Sequence, residues 1–298
     1  MTLKRIVCIF LVLSLFLIAI CGCTPSGGAS ENGAENGEEN ENEENEETGE
    51  NEMLDRGKSY SILFIGNSYT YYNDMPSALF APMAEAEGYD VSVDAITKGA
   101  HTLAKFADPT DEYGAKVEAA LTGDVKYDFV ILQEQSVRPA GEDKEAFYAA
   151  VRNLAARIRA TGAEPVLYAT WGRKTGSSTL ATYGWTNESM TYLLAAGYEA
   201  IGKELSIPVI HVGLAFRDVY TNYGEIELYN PDLSHPSYAG SYLAAAALFG
   251  GIFGVKPSET AYKDGLTAQA AEILLAAAER AVYDTPAIPE EYLSKTEQ

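Results

Sequence analysis

From Tyr60 onward, the sequence alternates between short, continuously apolar runs and longer amphipathic stretches. The run at residues 61–65 has the length of a strand that is covered on both faces, and it ends at Gly66. The stretch at residues 144–160 has the apolar period of a helix that packs one face against a core. This alternation predicts an α/β fold, in which a mostly parallel five-stranded sheet lies between two layers of helices.

The predicted elements fall in one region with no fixed-period repeat and no second linker, so residues 54–298 are expected to form one domain. In the first helix, Asn73 or Asp74 is the expected N-cap, Pro76 lies in the first turn and Gly88 is the stop. Strands are expected at 61–65, 91–96, 128–132, 165–169 and 208–212, and helices at 73–88, 144–160, 187–205, 238–249 and 267–282. Because such sheets bind ligands at the carboxyl ends of their strands, we expect chemistry in the loops that follow them.

Composition and charge exclude several classes of protein. The 298 residues are 47% hydrophobic, which is enough for a sizeable core, and the net charge of −22 argues against a nucleic-acid partner. All three cysteines lie within the first 23 residues, and the chain has only three histidines. The folded region therefore has no disulfide and a poor supply of metal ligands, so we expect no metal and no other cofactor.

The N-terminus has the features of an export signal. A basic start at Lys4 and Arg5 precedes an apolar run at residues 6–20, which is short for a membrane span. The sequence Ile-Cys-Gly-Cys that ends at Cys23 resembles a bacterial lipobox, which implies that Cys23 is lipidated and becomes the first mature residue. An ordinary signal peptide and an uncleaved anchor are the alternatives.

An acidic tract separates this signal from the folded region. Residues 31–52 hold 11 Glu and no Lys or Arg, which leaves a net charge of −11 for the rest of the chain. The tract lacks large apolar side chains, so it is expected to be a disordered tether. We therefore predict a signal peptide at 1–22, a tether at 23–53 and lipid anchoring at the cell surface or in the periplasm, with the membrane as a partner through Cys23.

Two polar motifs follow predicted strands or precede a predicted helix. Ser68 stands in a strand-to-helix turn, which can expose a serine hydroxyl beside a helix N-terminus. Asp232 lies three residues before His235, so its carboxylate can reach Nδ1 of the imidazole and leave Nε2 to accept a serine proton. Each motif alone is also compatible with an ordinary turn or a helix cap.

Candidate donors to an oxyanion follow the second and third strands. Gly99 has no side chain, so its backbone N–H can approach a substrate closely. Gln133 and Gln135 carry amide donors directly after the third strand, and both lie on the same face if that strand continues.

Taken in order along about 230 residues, these motifs resemble the SGNH (GDSL-type) hydrolase superfamily. The resemblance implies a flavodoxin-like three-layer sandwich and a triad of Ser68 as nucleophile, His235 as general base and acid, and Asp232 as its orienting carboxylate. It also implies an oxyanion hole of the Ser68 and Gly99 N–H groups with Gln135, or Gln133 as the alternate. Two blocks depart from the family: Gly-Asn-Ser replaces Gly-Asp-Ser at Ser68, and Gln-Glu-Gln-Ser replaces Gly-x-Asn-Asp at residues 133–136.

These residues predict an extracytoplasmic serine esterase that removes acetyl or other short acyl groups from carbohydrate. Its partner would be an acylated carbohydrate or another small ester. Aromatic residues near Ser68, including Tyr69, Tyr71 and Tyr72, together with Trp171 on the same sheet edge, could stack on sugar faces or simply pack. Two alternatives remain: a lysophospholipase or thioesterase on the same scaffold, and a catalytically weak glycan-binding lipoprotein.

Overall fold

A fully parallel, five-stranded sheet forms the centre of the computed structural model, which describes residues 53–141, 143–263 and 265–294. The strands lie in the order β2–β1–β3–β4–β5, so β1 and β3 are central. Their bounds are Ser59–Gly66 (β1), Asp90–Thr97 (β2), Phe129–Leu132 (β3), Glu164–Tyr168 (β4) and Val209–Ile210 (β5). The predicted signal peptide, the lipidation site Cys23 and all of the predicted tether except its last residue lie outside the described residues.

Helices connect the strands and follow the last one. They are α1 (Ser68–Tyr71), α2 (Ala81–Ala86), α3 (Leu103–Ala107), α4 (Glu112–Thr122), α5 (Lys144–Ala160), α6 (Ser178–Tyr183), α7 (Asn187–Leu205), α8 (Val212–Asn222), α9 (Tyr238–Phe253), α10 (Ala268–Tyr283) and α11 (Glu290–Leu293). The predicted bounds of α5 and α7 are correct, whereas the helices α3, α4, α6, α8 and α11 were not predicted. Within the described ranges, no helix is long and apolar enough to cross a membrane.

Alternate residues of the central strands pack against two separate layers. Ile62 and Phe64 of β1 belong to the core that contains α8, α9 and α10. Leu63 and Ile65 belong to the second core, which contains α3, α4 and α5. Because neighbouring side chains of a strand point to opposite faces, a continuously apolar strand needs cover on both sides. The predicted three-layer α/β/α sandwich is therefore confirmed.

Two predicted elements differ from the structure. The helix expected at 73–88 begins at Met75, with Asp74, one of its two predicted N-caps, at the cap position and Pro76 in the first turn. It differs in starting as a π-helical segment, Met75–Phe80, after two residues with left-handed backbone conformations, Asn73 and Asp74 (φ 55° and 49°). The last strand ends at Ile210 instead of residue 212, because α8 begins there and takes the chain away from the sheet.

Candidate active site

The turn that carries Ser68 is held by the end of β3. Gly66 closes β1, and a Cβ there would lie 2.4 Å from Thr70 Oγ1 and 2.8 Å from Gln133 Oε1, so only glycine fits. Asn67 then caps α1, with Oδ1 accepting from Tyr69 N at 3.2 Å. Ser68 is the first residue of α1, where backbone N–H groups lack an intrahelical acceptor. The serine hydroxyl and its own N–H thus share the helix start.

Asp232 shapes the loop that carries His235 as well as contacting its ring. Its Oδ1 accepts from the backbone N–H groups of Ser234 and His235, each at 2.9 Å. Its Oδ2 accepts from His235 Nδ1 at 2.6 Å. Partial burial would raise the pKa of Asp232, but these hydrogen bonds outweigh it and lower the pKa below its ordinary value. The carboxylate therefore stays ionised and selects the imidazole tautomer with a proton on Nδ1.

The structure brings Ser68, His235 and Asp232 into one hydrogen-bonded series. Ser68 Oγ lies 2.8 Å from His235 Nε2, and Ser68 is 8% exposed. The ring of Tyr72 stacks on the imidazole, with centroids 4.3 Å apart and planes 8° apart. Such an arrangement can move the serine proton to Nε2 while the carboxylate stabilises the imidazolium that forms.

A cavity of about 420 Å³ opens over Ser68 and His235. Gly99 and Gln135 line it, so the structure brings both predicted oxyanion donors to the cavity that holds the serine. Gln135 Oε1 accepts from Val137 N at 3.1 Å, which leaves the Nε2 end of that amide as a hydrogen-bond donor. The backbone N–H groups at Ser68 and Gly99 and this side chain are thus the groups available to a developing oxyanion.

Gln133, the alternate donor, does not line the cavity. It is fully buried, and its Oε1 accepts from Asn67 N at 2.8 Å and from Thr70 Oγ1 at 2.9 Å. Its Nε2 donates to the carbonyl oxygen of Glu134. The Oε1 end of this amide therefore holds the Ser68 turn, and its Nε2 end is bonded within its own segment. Gln135 is the glutamine that lines the cavity.

Glu134, which the sequence analysis did not single out, is buried between the two donor loops, which are the loop after β2 with Gly99 and the loop after β3 with Gln135. Its carboxylate accepts from Leu103 N at 3.2 Å and from Gln135 N at 2.5 Å. Burial raises the pKa of Glu134 to about 7, although the same backbone N–H groups and Arg138 act in the opposite direction. One carboxyl group thus links Gln135 to Leu103, at the end of the loop that contains Gly99. Its position between two glutamines was the only signal in the sequence.

The Asn at residue 67 also has a role that an aspartate could not fill. Besides capping α1, its Nδ2 donates to the carbonyl oxygen of His101 at 3.2 Å. A carboxylate has no hydrogen to donate, so it would leave this buried carbonyl unpaired. The departure from Gly-Asp-Ser therefore joins the Ser68 turn to the loop that begins at Gly99.

The remaining histidines and Trp171 do not line the cavity. His101 Nε2 is 2.9 Å from Asp111 Oδ1, and His211 Nε2 is 3.0 Å from Glu199 Oε2, so carboxylates and not backbone groups partner these rings. Trp171 is fully buried, and its ring stacks between those of Tyr69 and Phe216. It is a core residue and cannot stack on a sugar. In the described ranges, His, Cys, Asp and Glu form no group of three or more that could hold a metal ion.

Comparison with known proteins adds to this geometry. No protein-family model matches the chain, and no curated protein does either. A solved structure from Slackia heliotrinireducens, classed as an SGNH hydrolase, is 32% identical, with the match covering 98% of that chain and 64% of this one at a TM-score of 0.56. A DUF4886 family protein from Bacteroides uniformis is 19% identical, with 99% and 78% covered and a TM-score of 0.67.

The second similarity, at its low identity, shows the fold alone. The first covers nearly the whole of its relative at an identity that establishes common membership. The resemblance predicted from the ordered motifs is therefore confirmed: this chain belongs to the SGNH hydrolase superfamily and is a serine hydrolase.

Proposed function

We propose that this protein is an extracytoplasmic esterase that removes acetyl or other short acyl groups from carbohydrate. One observation carries the proposal: Ser68 Oγ is 2.8 Å from His235 Nε2, and His235 Nδ1 is 2.6 Å from Asp232 Oδ2. A serine paired with a base that a carboxylate orients is the arrangement that acyl transfer requires.

In the proposed mechanism, His235 takes the hydroxyl proton of Ser68 as Oγ attacks the ester carbonyl. The N–H groups of Ser68 and Gly99, together with Gln135 Nε2, stabilise the tetrahedral oxyanion. His235 then protonates the leaving alkoxide, and a water molecule repeats the sequence to release the acid and regenerate the serine. The low pKa of Asp232 keeps its charge available to the imidazolium in both halves of the reaction.

The cavity supports a short acyl group and a polar alcohol. Among the described residues that line it, no side chain is a long aliphatic one; the apolar contributions come from Ala100 and from tyrosine rings. Tyr71 is 39% exposed and stacks against Tyr72 at the cavity rim. Exposed rings beside polar groups suit a sugar face, whereas a long acyl chain would need an apolar groove. A lysophospholipase or thioesterase is therefore the less favoured alternative.

The proposed location depends on the sequence alone. The basic start, the apolar run at residues 6–20 and the lipobox-like cysteine together support export and lipidation at Cys23. The acidic tract that follows would hold the enzyme away from an anionic membrane surface. Metabolic labelling with a fatty-acid analogue, compared between the natural chain and Cys23→Ala, tests this part of the proposal.

The catalytic part is tested by hydrolysis of p-nitrophenyl acetate, p-nitrophenyl butyrate and acetylated oligosaccharides, with Ser68→Ala as the background. We expect turnover that Ser68→Ala abolishes, and kcat/KM that falls from acetate to butyrate. A rise in kcat/KM from acetate to longer acyl chains would instead support the lipase-like alternative. Saturable binding of oligosaccharide with no Ser68-dependent turnover would support the glycan-binding alternative.

A further inference from the structure

Arg173 is a cation in the wall of the cavity that holds Ser68, and it lacks a counter-charge from the protein. It lies in the loop after β4, and its Nη2 donates to Ser136 Oγ at 2.9 Å. Its Nε–H is buried without an acceptor. No carboxylate of the described residues lies within ion-pair distance of this guanidinium group. The site therefore has an uncompensated positive charge beside the proposed nucleophile.

Two basic residues near Arg173 have carboxylate partners, whereas Arg173 forms no ion pair among the described residues. Lys174, the next residue, forms an ion pair with Glu227. Arg138, in the loop after the neighbouring strand β3, has Asp143 Oδ2 at 3.2 Å from its Nη1. In a chain with a net charge of −22, acidic partners are abundant, so an unpaired arginine in a cavity indicates that its counter-charge comes from a ligand.

The loop that carries Arg173 is rigidly held. The carbonyl oxygen of Gly172 accepts from Asn187 Nδ2 at 3.1 Å and from Tyr229 Oη at 2.8 Å, and the carbonyl oxygen of Arg173 accepts from Asn187 at 3.0 Å. A Cβ on Gly172 would lie only 2.3 Å from the Asn187 carbonyl oxygen, so the close approach requires glycine. Because this backbone is already ordered, a ligand that binds Arg173 would lose little conformational entropy from the loop, and the net affinity of a charge-assisted contact would be higher.

We propose that Arg173 binds a carboxylate on the sugar that carries the ester, so that the substrate class is acylated acidic sugar. The inference rests on the proposed esterase function. The guanidinium group presents a planar set of donors that matches a carboxylate. Asp232, which also lines the cavity, is already engaged by His235 and by two backbone N–H groups, so the anion that meets Arg173 must enter with the substrate.

The test compares two substrates that differ only at one carbon: a methyl glucuronoside and a methyl glucoside, acetylated at the same position. Released acetate gives kcat/KM for each on the full chain, and the ratio of the two values is the readout. We expect a ratio of about ten or more in favour of the acidic sugar, since a hydrogen bond to a charged group is worth roughly that factor or more. Arg173→Gln should lower the ratio at least tenfold, and Arg173→Lys should lower it less.

Lys174→Gln is the matched control, because it removes a positive charge from the adjacent residue, which is paired with Glu227 and does not line the cavity. It should keep the natural ratio. A ratio near one in the natural enzyme would overturn the proposal. So would an Arg173→Gln variant that slows both substrates by the same factor, since that would place Arg173 in the chemical step or in the fold.

Calorimetry with Ser68→Ala separates this proposal from the proposed function. Glucuronate should bind this variant more tightly than glucose, and adding Arg173→Gln should remove the difference. If glucuronate binds in this way but the natural enzyme hydrolyses no ester, the acid-binding site is supported and the esterase function is refuted. Ser68-dependent hydrolysis with equal binding of both sugars would leave the esterase and refute the acid-binding site. Inorganic phosphate that binds through Arg173 more tightly than glucuronate would refute the carboxylate.

Discussion

The Ser68 turn (residues 66–69) and the Gln133–Ser136 segment follow neighbouring strands of the same sheet, yet they use their polar side chains in opposite ways. In the turn, Ser68 reaches the cavity and meets His235. In the segment, Gln133 and Glu134 are fully buried and bond to other loops, and only Gln135 and Ser136 line the cavity.

The comparison teaches that position at the carboxyl end of a strand does not by itself make a residue catalytic. Gln133 holds the Ser68 turn through Asn67 N and Thr70 Oγ1, and Glu134 holds the two donor loops together. These buried side chains provide the support that keeps exposed reacting groups in place. The segment is therefore scaffold in its first half and binding surface in its second half.

The largest effect should come from the contrast between Ser68 and Ser136, two of the three serines that line the cavity. A fluorophosphonate ester should phosphonylate Ser68 and leave Ser136 unlabelled, because only Ser68 has its hydroxyl on an imidazole, whereas Ser136 Oγ accepts from Arg173. Ser68→Ala should lower kcat/KM for p-nitrophenyl acetate by ~10⁴-fold or more. Peptide mass spectrometry locates the adduct, and Ser136→Ala is the control. Labelling of Ser136 in the natural protein would refute the assignment.

Substitutions at the two glutamines should have different effects, one on kcat and the other on the free energy of unfolding. Gln135→Ala should lower kcat by ~10²–10³, because it removes one oxyanion donor. Gln133→Ala should instead lower the free energy of unfolding by about 1–3 kcal/mol, because it leaves the buried Asn67 N–H and Thr70 hydroxyl without their acceptor. Steady-state kinetics and urea denaturation of both variants give the two quantities. Equal loss of kcat without loss of stability in Gln133→Ala would break the contrast.

Glu134 should make the free energy of unfolding depend on pH. The pKa of Glu134 is about 7 in the folded protein, against an ordinary value of 4.5. At a pH between these two values, the folded state therefore retains a proton that the unfolded state has released. The free energy of unfolding should therefore fall as pH rises from about 4.5 to 7, by up to about 3 kcal/mol.

Glu134→Gln removes that ionisation and is the variant to measure. Urea denaturation at pH 5 and at pH 8 should show a smaller decrease in this variant than in the natural protein. Glu112→Gln, at an exposed carboxylate in α4, is the control for general charge effects. An identical pH dependence in the natural protein and Glu134→Gln would mean that Glu134 does not titrate in this range.

The smallest effect should come from restoring the family's usual residue at the Ser68 turn. Asn67→Asp keeps the helix cap but loses the donor to the His101 carbonyl oxygen, and it places a negative charge against that oxygen. We expect a loss of about 1 kcal/mol in the free energy of unfolding and a modest loss of kcat. Thermal denaturation of the natural protein, Asn67→Asp and Asn67→Ser gives the comparison, because Ser also caps a helix and carries no charge. A gain in stability with Asp would contradict the proposed double role of Asn67.

Much of the site could be predicted because its signals are local. Ser68 directly follows an apolar strand, and Asp232 and His235 are three residues apart, which is the distance over which a carboxylate can reach back to a ring in a turn. The roles of Glu134 and Arg173 could not be predicted in this way. Glu134 is bonded to Leu103, and Arg173 is bonded to Ser136 but to no carboxylate of the described residues. These partners are more than 30 residues distant in the chain.

The fold shows the same division. The continuous apolar strands and the helical period of α5 and α7 determined the three-layer sandwich, because local patterning decides which faces of a strand or helix must be buried. The left-handed backbone at Asn73 depended on a distant contact: Asn73 Nδ2 donates to Ser241 Oγ at 2.8 Å, and Asn tolerates this conformation.

By itself, the sequence determined the five strands, the longer helices α5, α7, α9 and α10, the family and the three residues of the proposed triad. The tertiary structure alone decided which glutamine reaches the cavity, that Glu134 turns inward and that Arg173 meets no acid. The physical reason is that β3 ends at Leu132, so strand alternation no longer fixes where the next side chains point, and a polar group can be buried only where its neighbours supply hydrogen-bond partners. Those neighbours come together only when the loops of separate strands meet at one edge of the sheet.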